Sequence, residues 1–214
     1  MRGKRKIYIN IIITSLLIMY LIGVFSGLFR YLGKYFLSFD NQVRDFLIGS
    51  QTQFWDAFFS IITLFGGVDG FAGIGVLILG IFLFYRKRDF LLPFIITIIG
   101  TEVFILIGKA FTGRIRPTGE EYSFPSNHAA IALAFYAFVN ILINNKNNKK
   151  INSTLTFIVN CFLLIIIVLI GFSRLYLDEH FFSDVMMGYI VAGLWLILEV
   201  NFHKYHILRD RTKI

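Results

Sequence analysis

Residues 151–184 read INSTLTFIVNCFLLIIIVLIGFSRLYLDEHFFSD, and the part up to Phe172 carries no charged side chain. A helix needs about 20 mostly apolar residues to cross a hydrocarbon core about 30 Å thick. The uncharged run is long enough for that, and a polar segment with Arg174, His180 and Asp184 follows it at once. The stretch therefore predicts a membrane-spanning helix that ends in a cluster of polar side chains.

Similar apolar runs recur along the 214 residues, 57% of which are hydrophobic, and the mean hydropathy is +0.71. Backbone groups in lipid must be satisfied within their own segment, so each run is predicted to be a helix. The runs are too long and too continuous for barrel strands, in which apolar and polar residues alternate. Six segments qualify: roughly 7–29, 67–85, 90–108, 129–144, 151–172 and 185–202. We predict an all-α polytopic membrane protein with six transmembrane helices, folded as a single membrane-embedded domain over residues 1–214.

The longest connection, residues 30–66, follows the first predicted span. Its segments 43–48 and 54–65 are amphipathic and aromatic, and the second includes Trp55. Such segments are predicted to be helices that lie in the interface on the outer side and do not cross the bilayer. Two roles remain open for them. They could form a cover or lip through which lipid reaches a pocket, or a plain aromatic anchor among the headgroups.

The distribution of basic residues predicts how the chain is oriented. With the N-terminus placed in the cytoplasm, 14 Lys and Arg residues fall on the inner side and 7 on the outer side. This matches the positive-inside rule, and six spans return the C-terminus to the cytoplasm. We therefore predict a multi-pass protein of the cell membrane, whose net charge of +8 reflects topology and anionic headgroups. No continuous basic stripe is interleaved with a reading element, so no nucleic-acid partner is expected.

Three polar islands interrupt the apolar runs. They comprise Lys109, Arg116 and Pro117; then Pro125, Ser126, Asn127 and His128; and finally Ser173, Arg174, His180 and Asp184. Counting alternate spans places all three on the outer side of the membrane. Three cations, two histidines and one carboxylate on one side indicate an anionic substrate and proton-coupled chemistry.

The second island is predicted to begin a helix. Ser126 and Asn127 are favourable N-cap residues, and Pro125 helps the chain turn into the helix. The free N–H groups of such a helix start bind anions without any side-chain charge. His128 would lie in that first turn, beside a bound anion.

The third island pairs a histidine with a carboxylate. His180 and Asp184 are four residues apart, so they share one face if the stretch is helical. A carboxylate beside an imidazole fixes its tautomer and stabilises the cation formed after attack, which is what a histidine nucleophile or base requires. Lys109, Arg116 and Arg174 would supply positive charge for phosphate oxygens.

No cluster of carboxylates, cysteines or histidines at metal-binding spacing accompanies these residues. The outer acids Glu120, Glu121, Asp178 and Glu179 are scattered along the sequence. No metal and no other cofactor is therefore expected.

In order and spacing, the islands resemble the type 2 phosphatidic acid phosphatase superfamily, the membrane lipid phosphate phosphatases. That family's pattern is Lys, six residues, Arg-Pro; then Pro-Ser-Gly-His; then Ser-Arg, five residues, His, three residues, Asp. The resemblance covers about residues 55–200. Asn127 departs from it, since the family usually has glycine there. Asparagine is the next most tolerant residue in the left-handed region, so the departure bears on rate and substrate preference.

The resemblance implies a role for each matching position. His180 would be the nucleophile that forms a phosphohistidine, Asp184 would orient it, and His128 would protonate the leaving oxygen. The phosphate would be held by Lys109, Arg116, Ser126, Arg174 and the backbone at Asn127. The substrate would be a lipid phosphate or diphosphate at the outer face of the membrane. Two classes fit: isoprenoid carriers such as undecaprenyl diphosphate, and glycerolipids such as phosphatidylglycerol phosphate or phosphatidic acid.

Two other functions remain open. A non-catalytic lipid-phosphate binding or transport protein could use the same cations, but it would not need the pair of His180 and Asp184. A structural membrane subunit would leave the three islands unexplained. The oligomeric state is left open.

Three charged residues outside the islands carry expectations of their own. Arg30 and Arg114 are expected to contact lipid headgroups. Glu102 lies within the third predicted span, about 10 Å along the helix from Lys109. An acid at that depth either serves the function or bonds to a neighbouring helix.

Overall fold

The structure is a computed structural model that describes residues 33–67, 70–119, 121–144 and 152–211, with a few isolated helical positions between residues 13 and 27. These parts of the chain form seven α-helices, which confirms the all-helical prediction. They are α1 (Gly33–Ile48), α2 (Gln53–Thr63), α3 (Phe71–Arg86), α4 (Arg88–Thr112), α5 (Asn127–Ile143), α6 (Ser153–Tyr176) and α7 (Phe182–Arg211).

Three of the described helices are long and apolar enough to cross a membrane: Arg88–Thr112, Ser153–Tyr176 and the part Phe182–Val200 of α7. Two more, Ala72–Arg86 and Asn127–Ile143, are apolar but shorter. All five coincide with predicted spans, and the chain is a multi-pass integral membrane protein. The first predicted span, 7–29, falls mostly outside the described residues.

Helix α5 is the central helix of the bundle. Its residues Ala129 to Ala132 are fully buried, and it packs against α4, α6 and α7. Small side chains let helix backbones approach closely in membrane proteins. Gly188 of α7 shows how close the approach is, because a Cβ there would lie 2.5 Å from the carbonyl oxygen of Ser126. The start of α7 is therefore held against the start of α5.

The polar islands meet at one end of this bundle. Helices α4 and α6 end there, and α5 and α7 begin there, so the backbone N–H of Ser126 donates to the carbonyl of Asp184 at 3.0 Å. Helix α1 packs against α6 and α7, and α2 packs against α6. The turn between α1 and α2 is fixed by Gln51 Nε2, which donates to the carbonyl of Tyr176 at the end of α6 at 2.7 Å.

Helices α1 and α2 are the observed form of the two segments predicted between spans one and two. Helix α2 agrees well with the predicted 54–65, whereas α1 begins ten residues before the predicted 43–48. Phe54 and Trp55 remain largely exposed on α2, while Phe59 is buried against Tyr176 with ring centroids 4.6 Å apart. One aromatic face of α2 therefore packs on the bundle, and the other face is exposed.

Candidate active site

A tight turn between α6 and α7 brings the third island together. Asp178 adopts a left-handed backbone conformation with φ of 58°. The N–H groups of Glu179 and His180 both donate to the carbonyl of Arg174, at 3.0 and 3.1 Å. The chain thus folds back on the end of α6, and His180 is placed beside the arginine six residues before it.

His180 and Asp184 meet in the interior, where both side chains are fully buried. His180 Nδ1 lies 3.6 Å from Asp184 Oδ2 and 3.3 Å from the hydroxyl of Ser123. Asp184 Oδ2 also accepts a short hydrogen bond from Ser123 and another from the N–H of Phe181 at 2.8 Å. These bonds fix the orientation of the carboxylate that faces the imidazole.

The opposite ring nitrogen of His180 has no such partner. Nε2 is buried and makes no hydrogen bond to any part of the chain that the structure describes. Burial lowers the pKa of the His180 imidazole, and the neighbouring Asp184 carboxylate opposes that shift only in part. The ring is therefore neutral at physiological pH, with a proton on Nδ1 facing Asp184 and a lone pair on Nε2.

Two arginines are held side by side next to this ring. A single oxygen of Glu179, Oε2, lies 2.9 Å from Arg116 Nη1 and 3.3 Å from Arg174 Nη2. Arg174 also donates from Nη1 to the hydroxyl of Thr63, at the end of α2, at 2.7 Å. Both guanidinium groups thus converge on one anionic oxygen, a geometry that suits phosphate oxygens equally well.

The loop between α4 and α5 delivers Arg116 through a short extended segment. Ile115 and Tyr122 form an antiparallel bridge, and the N–H of Arg116 donates to the carbonyl of Glu121 at 2.8 Å. Alternate residues of an extended chain point to the same side. Arg114 therefore points inward together with Arg116.

The start of α5 lies beside these cations. Ser126 is the N-cap residue, but its hydroxyl makes no capping bond. That hydroxyl is buried and has no partner among the described residues. The first N–H groups of a helix also lack partners within the helix, so this end offers several donors to an anion.

The two residues that follow Ser126 differ in their contacts. Asn127 Nδ2 donates to Glu102 Oε1 at 3.1 Å, which gives the intramembrane acid a structural bond to a neighbouring helix. His128 faces the turn after α2, since a Cβ on Gly66 would lie 3.4 Å from its ring. Arg174, Arg116 and Lys109 lie close enough to His128 for their positive charges to interact with its ring.

The eight predicted site residues are gathered at one end of the bundle.

Two expectations drawn from the sequence are wrong. Arg114 was expected to contact headgroups, yet its side chain is only 8% exposed and binds Asp40 and Asp184, each at 2.7 Å. The extended backbone turns it inward with Arg116. Glu179 was taken for one of several scattered acids, yet it lies between Arg116 and Arg174.

Three further residues in the site were not singled out from the sequence: Asp40, Ser123 and Ser183. Asp40 is 1% exposed and accepts from the N–H of Ser183 at 2.9 Å and from its hydroxyl at 2.6 Å. Ser183 could have been noticed as the neighbour of Asp184. A contact between residues 143 positions apart leaves no trace in one sequence.

In the parts of the chain that the structure describes, no three His, Cys, Asp or Glu side chains are grouped so that they could hold a metal ion. The positive charge around the site comes from arginine and lysine side chains.

Comparisons with known proteins identify the fold and the family of this chain. The crystal structure of a transmembrane PAP2-type phosphatidylglycerolphosphate phosphatase from Bacillus subtilis superposes with a TM-score of 0.72 at 21% identity, covering 90% of this chain and 96% of that one. LpxE from Aquifex aeolicus superposes with a TM-score of 0.58 at 22% identity, covering 75% of this chain and 93% of the other. A search of curated proteins found no match. The PAP2 superfamily model matches residues 90–208. Since that is more than half of the sequence, the chain belongs to the PAP2 superfamily of membrane lipid phosphatases.

Proposed function

We propose that the protein hydrolyses the terminal phosphate of a lipid phosphate or diphosphate through a phosphohistidine on His180, without a metal ion. One observation carries the proposal. The Nδ1 side of His180 faces Asp184 and Ser123, which leaves Nε2 as a buried acceptor with no bond to the described chain. A nucleophile needs this combination of an oriented ring and a free lone pair.

In the first step, the Nε2 lone pair of His180 attacks phosphorus and forms an N–P bond. The bond between phosphorus and the lipid oxygen breaks, and its electron pair leaves with that oxygen, which takes a proton from His128. Asp184 stabilises the positive charge that develops on His180. A bound phosphate offsets the cations around His128, so this ring can carry the proton that it donates.

In the second step, water attacks the phosphohistidine from the side that the lipid has left. His128 accepts a proton from the water, the N–P bond breaks, and its electrons return to Nε2 of His180. Inorganic phosphate is released, and both rings recover their starting protonation. Microscopic reversibility lets one residue serve as acid and then as base.

Positively charged side chains around the phosphate provide most of the electrostatic stabilisation of the transition state. Arg116 and Arg174 are already aligned on a common anionic oxygen, and Lys109, the hydroxyl of Ser126 and the N–H groups at Asn127 add further donors. Losing one preorganised donor of this kind typically lowers kcat by about 10²- to 10³-fold.

We further propose that six helices span the membrane, that α1 and α2 lie in the interface, and that the site opens to the outer face. The 14-to-7 distribution of basic residues supports this orientation, with both termini in the cytoplasm. One similar structure bears the name of a phosphatidylglycerolphosphate phosphatase. Glycerolipid phosphates are therefore candidate substrates, together with isoprenoid diphosphates such as undecaprenyl diphosphate.

The test is phosphate release by the detergent-purified protein in excess EDTA. The substrates are undecaprenyl diphosphate, phosphatidylglycerol phosphate and phosphatidic acid. Because arginine, lysine and backbone donors hold the phosphate, we expect release from at least one substrate at the same rate with and without EDTA. Binding of all three lipids without any release would favour a lipid-phosphate binding or transport protein.

The pH dependence follows from the neutral state that His180 needs for attack. Its pKa lies below the ordinary value of 6.5 because the ring is buried. As the pH falls, kcat/KM should therefore persist through 6.5 and decline only when the lowered pKa is reached. On the alkaline side, kcat should fall as His128 loses its proton in the substrate complex, where the bound phosphate offsets the neighbouring cations. An acid limb of kcat/KM at or above pH 6.5 would count against a buried, neutral His180 as the nucleophile, and a kcat without an alkaline limb would count against His128 as the acid.

A further inference from the structure

A buried network joins helix α1 to the pair of His180 and Asp184. Arg114 lies at its centre. Its Nη1 donates to Asp184 Oδ1 at 2.7 Å and to the hydroxyl of Ser183 at 2.7 Å. Its Nη2 donates to Asp40 Oδ2 at 2.7 Å. The guanidinium thus bridges two carboxylates, and one of them faces the proposed nucleophile.

Asp40 is committed wholly to this network. Its Oδ2 accepts from Arg114 and from the hydroxyl of Ser183, while its Oδ1 accepts from the N–H of Ser183 in the first turn of α7. The side chain has no solvent exposure. A carboxylate so deeply buried is costly unless every oxygen is bonded, and here both are.

We propose that Asp40 is a positioning residue for the His180–Asp184 pair and acts through the guanidinium of Arg114. This inference rests on the proposed function, in which His180 attacks phosphorus. Asp40 touches neither the ring nor the substrate in that mechanism. It fixes the plane of Arg114, and Arg114 in turn fixes the carboxylate that faces His180.

The geometry gives Asp40 a second effect, through charge. If Arg114 were paired with Asp184 alone, its positive charge would cancel the carboxylate that must support a cationic ring. With Asp40 as a second partner, the three groups carry a net charge of −1. The carboxylate of Asp184 thus keeps its ability to stabilise the cation that forms on His180. The aromatic ring of Phe181 lies over the Arg114 guanidinium, whose carbon is 3.9 Å from the ring centroid.

Other charged groups also act on His180, and a pH profile will report all of them. Asp184 on α7, Arg174 on α6, Arg116 in the loop before α5 and His128 on α5 act directly. Arg114 acts through its bond to Asp184, and Lys109 on α4 acts through its effect on His128. A substitution at Asp40 leaves the chemical identity of all these groups unchanged.

A second ion pair of α1 provides a matched control for the docking of this helix. Arg44, one turn after Asp40, donates from Nε to Asp178 Oδ1 at 2.6 Å and from Nη2 to Oδ2 at 2.7 Å. This pair also ties α1 to the turn that carries His180, but the side chains of Arg44 and Asp178 bond to each other and not to Asp184 or Arg114. Arg44→Gln therefore removes an ion pair between α1 and the turn before α7 and leaves the Asp40 network intact.

The experiment compares Asp40→Asn with Arg44→Gln in the full-length protein in detergent. Asparagine keeps the size of the side chain and one acceptor oxygen but removes the charge. For Asp40→Asn we expect kcat to fall about 10- to 100-fold. This is the loss typically seen when a side chain that hydrogen-bonds and orients a metal-bound histidine is removed. KM should stay within about twofold, and the acid limb should move to lower pH, because loss of the negative charge lowers the pKa of His180. For Arg44→Gln, whose side chain is 34% exposed, both kcat and the acid limb should stay close to wild type.

An equal loss of kcat in both variants would overturn the proposal, since Asp40 would then only dock α1. A wild-type kcat and acid limb in Asp40→Asn would overturn it as well. If Asp40→Asn cannot be isolated folded, Arg114→Lys replaces it, because lysine keeps the charge but cannot bridge both carboxylates. The proposal then requires a lowered kcat in that variant, and an unchanged kcat contradicts it.

A second readout separates this proposal from the proposed function. The ¹⁵N signals of the His180 ring, assigned from their loss in His180→Ala, can be titrated without any turnover. We expect the pKa of His180 to be lower in Asp40→Asn than in wild type or Arg44→Gln. If the wild-type protein released no phosphate, the proposed function would fail, and this titration would still decide the role of Asp40.

Discussion

Replacing His180 by alanine is expected to remove phosphate release, with kcat at least roughly 10⁴-fold below wild type. The reason is that Nε2 of His180 is the atom that forms the bond to phosphorus, and no neighbouring side chain can take its place. His128 is the other histidine in the site, but the mechanism assigns it to the leaving oxygen. The measurement is phosphate release from the best lipid substrate, with thermal unfolding in detergent to show that the variant is folded.

A matched comparison with His128→Ala sharpens this prediction. A substrate whose leaving group is p-nitrophenolate needs little protonation, so it should restore part of the first step in His128→Ala. It should restore nothing in His180→Ala, which lacks the nucleophile. Equal rescue of both variants would contradict the division of roles between the two rings.

Asp184→Asn is expected to lower kcat by about 10³- to 10⁴-fold, as the equivalent change does in serine hydrolases. Asp184 accepts hydrogen bonds from Ser123, from the N–H of Phe181 and from Arg114. An asparagine amide would turn an NH₂ group toward one of these donors, and it would no longer hold the proton on Nδ1 of His180. The lone pair would then be lost from Nε2 in part of the molecules.

The same change is expected to destabilise the fold. Removing one partner of a buried ion pair typically costs about 3–5 kcal/mol, and the remaining bond of Arg114 to Asp40 should keep the loss near the lower end. Thermal unfolding and kcat are therefore measured together. Asp178→Asn is the control, because Asp178 is a partly exposed carboxylate in the same turn, and asparagine tolerates its positive φ. Loss of kcat in that control equal to the loss in Asp184→Asn would contradict a specific role for Asp184.

The long apolar runs allowed most of the helices to be predicted, because the thickness of the hydrocarbon core sets the length of a membrane-spanning helix. Five predicted spans coincide with observed apolar helices to within a few residues, except that α7 continues well beyond residue 202. The ordered islands predicted which residues would meet, since alternate spans bring their ends to the same side. Spacing within an island also carried information, as the four-position separation of His180 and Asp184 illustrates.

The residues around the islands could not be predicted, for a physical reason. Asp40 reaches Arg114 only because α1 folds back over α6 and α7, and a single sequence does not record that contact. Arg114 itself looked like a surface cation, because its inward orientation depends on the bridge between Ile115 and Tyr122. Long-range polar contacts of this kind are fixed by tertiary structure and not by local pattern.

Asn127 is a different case. The sequence shows an asparagine where the family pattern has glycine, and the structure gives this side chain a specific contact. The side chain found where the family usually has glycine is not simply tolerated, because it donates to Glu102 on α4. This bond also accounts for the acid within a predicted span. One departure from the family pattern and one unexplained charge are therefore parts of the same contact.

Direct detection of the phosphoenzyme tests the central claim most directly. The purified protein is mixed with a lipid substrate that carries ³²P in its terminal phosphate, and the reaction is quenched with denaturant under alkaline conditions, in which phosphohistidine survives. We expect label that is stable to base, released by acid, located by mass spectrometry on the peptide with His180, and absent from His180→Ala. Turnover by the wild-type protein with no trapped label on His180, or with label that persists in His180→Ala, would contradict the mechanism.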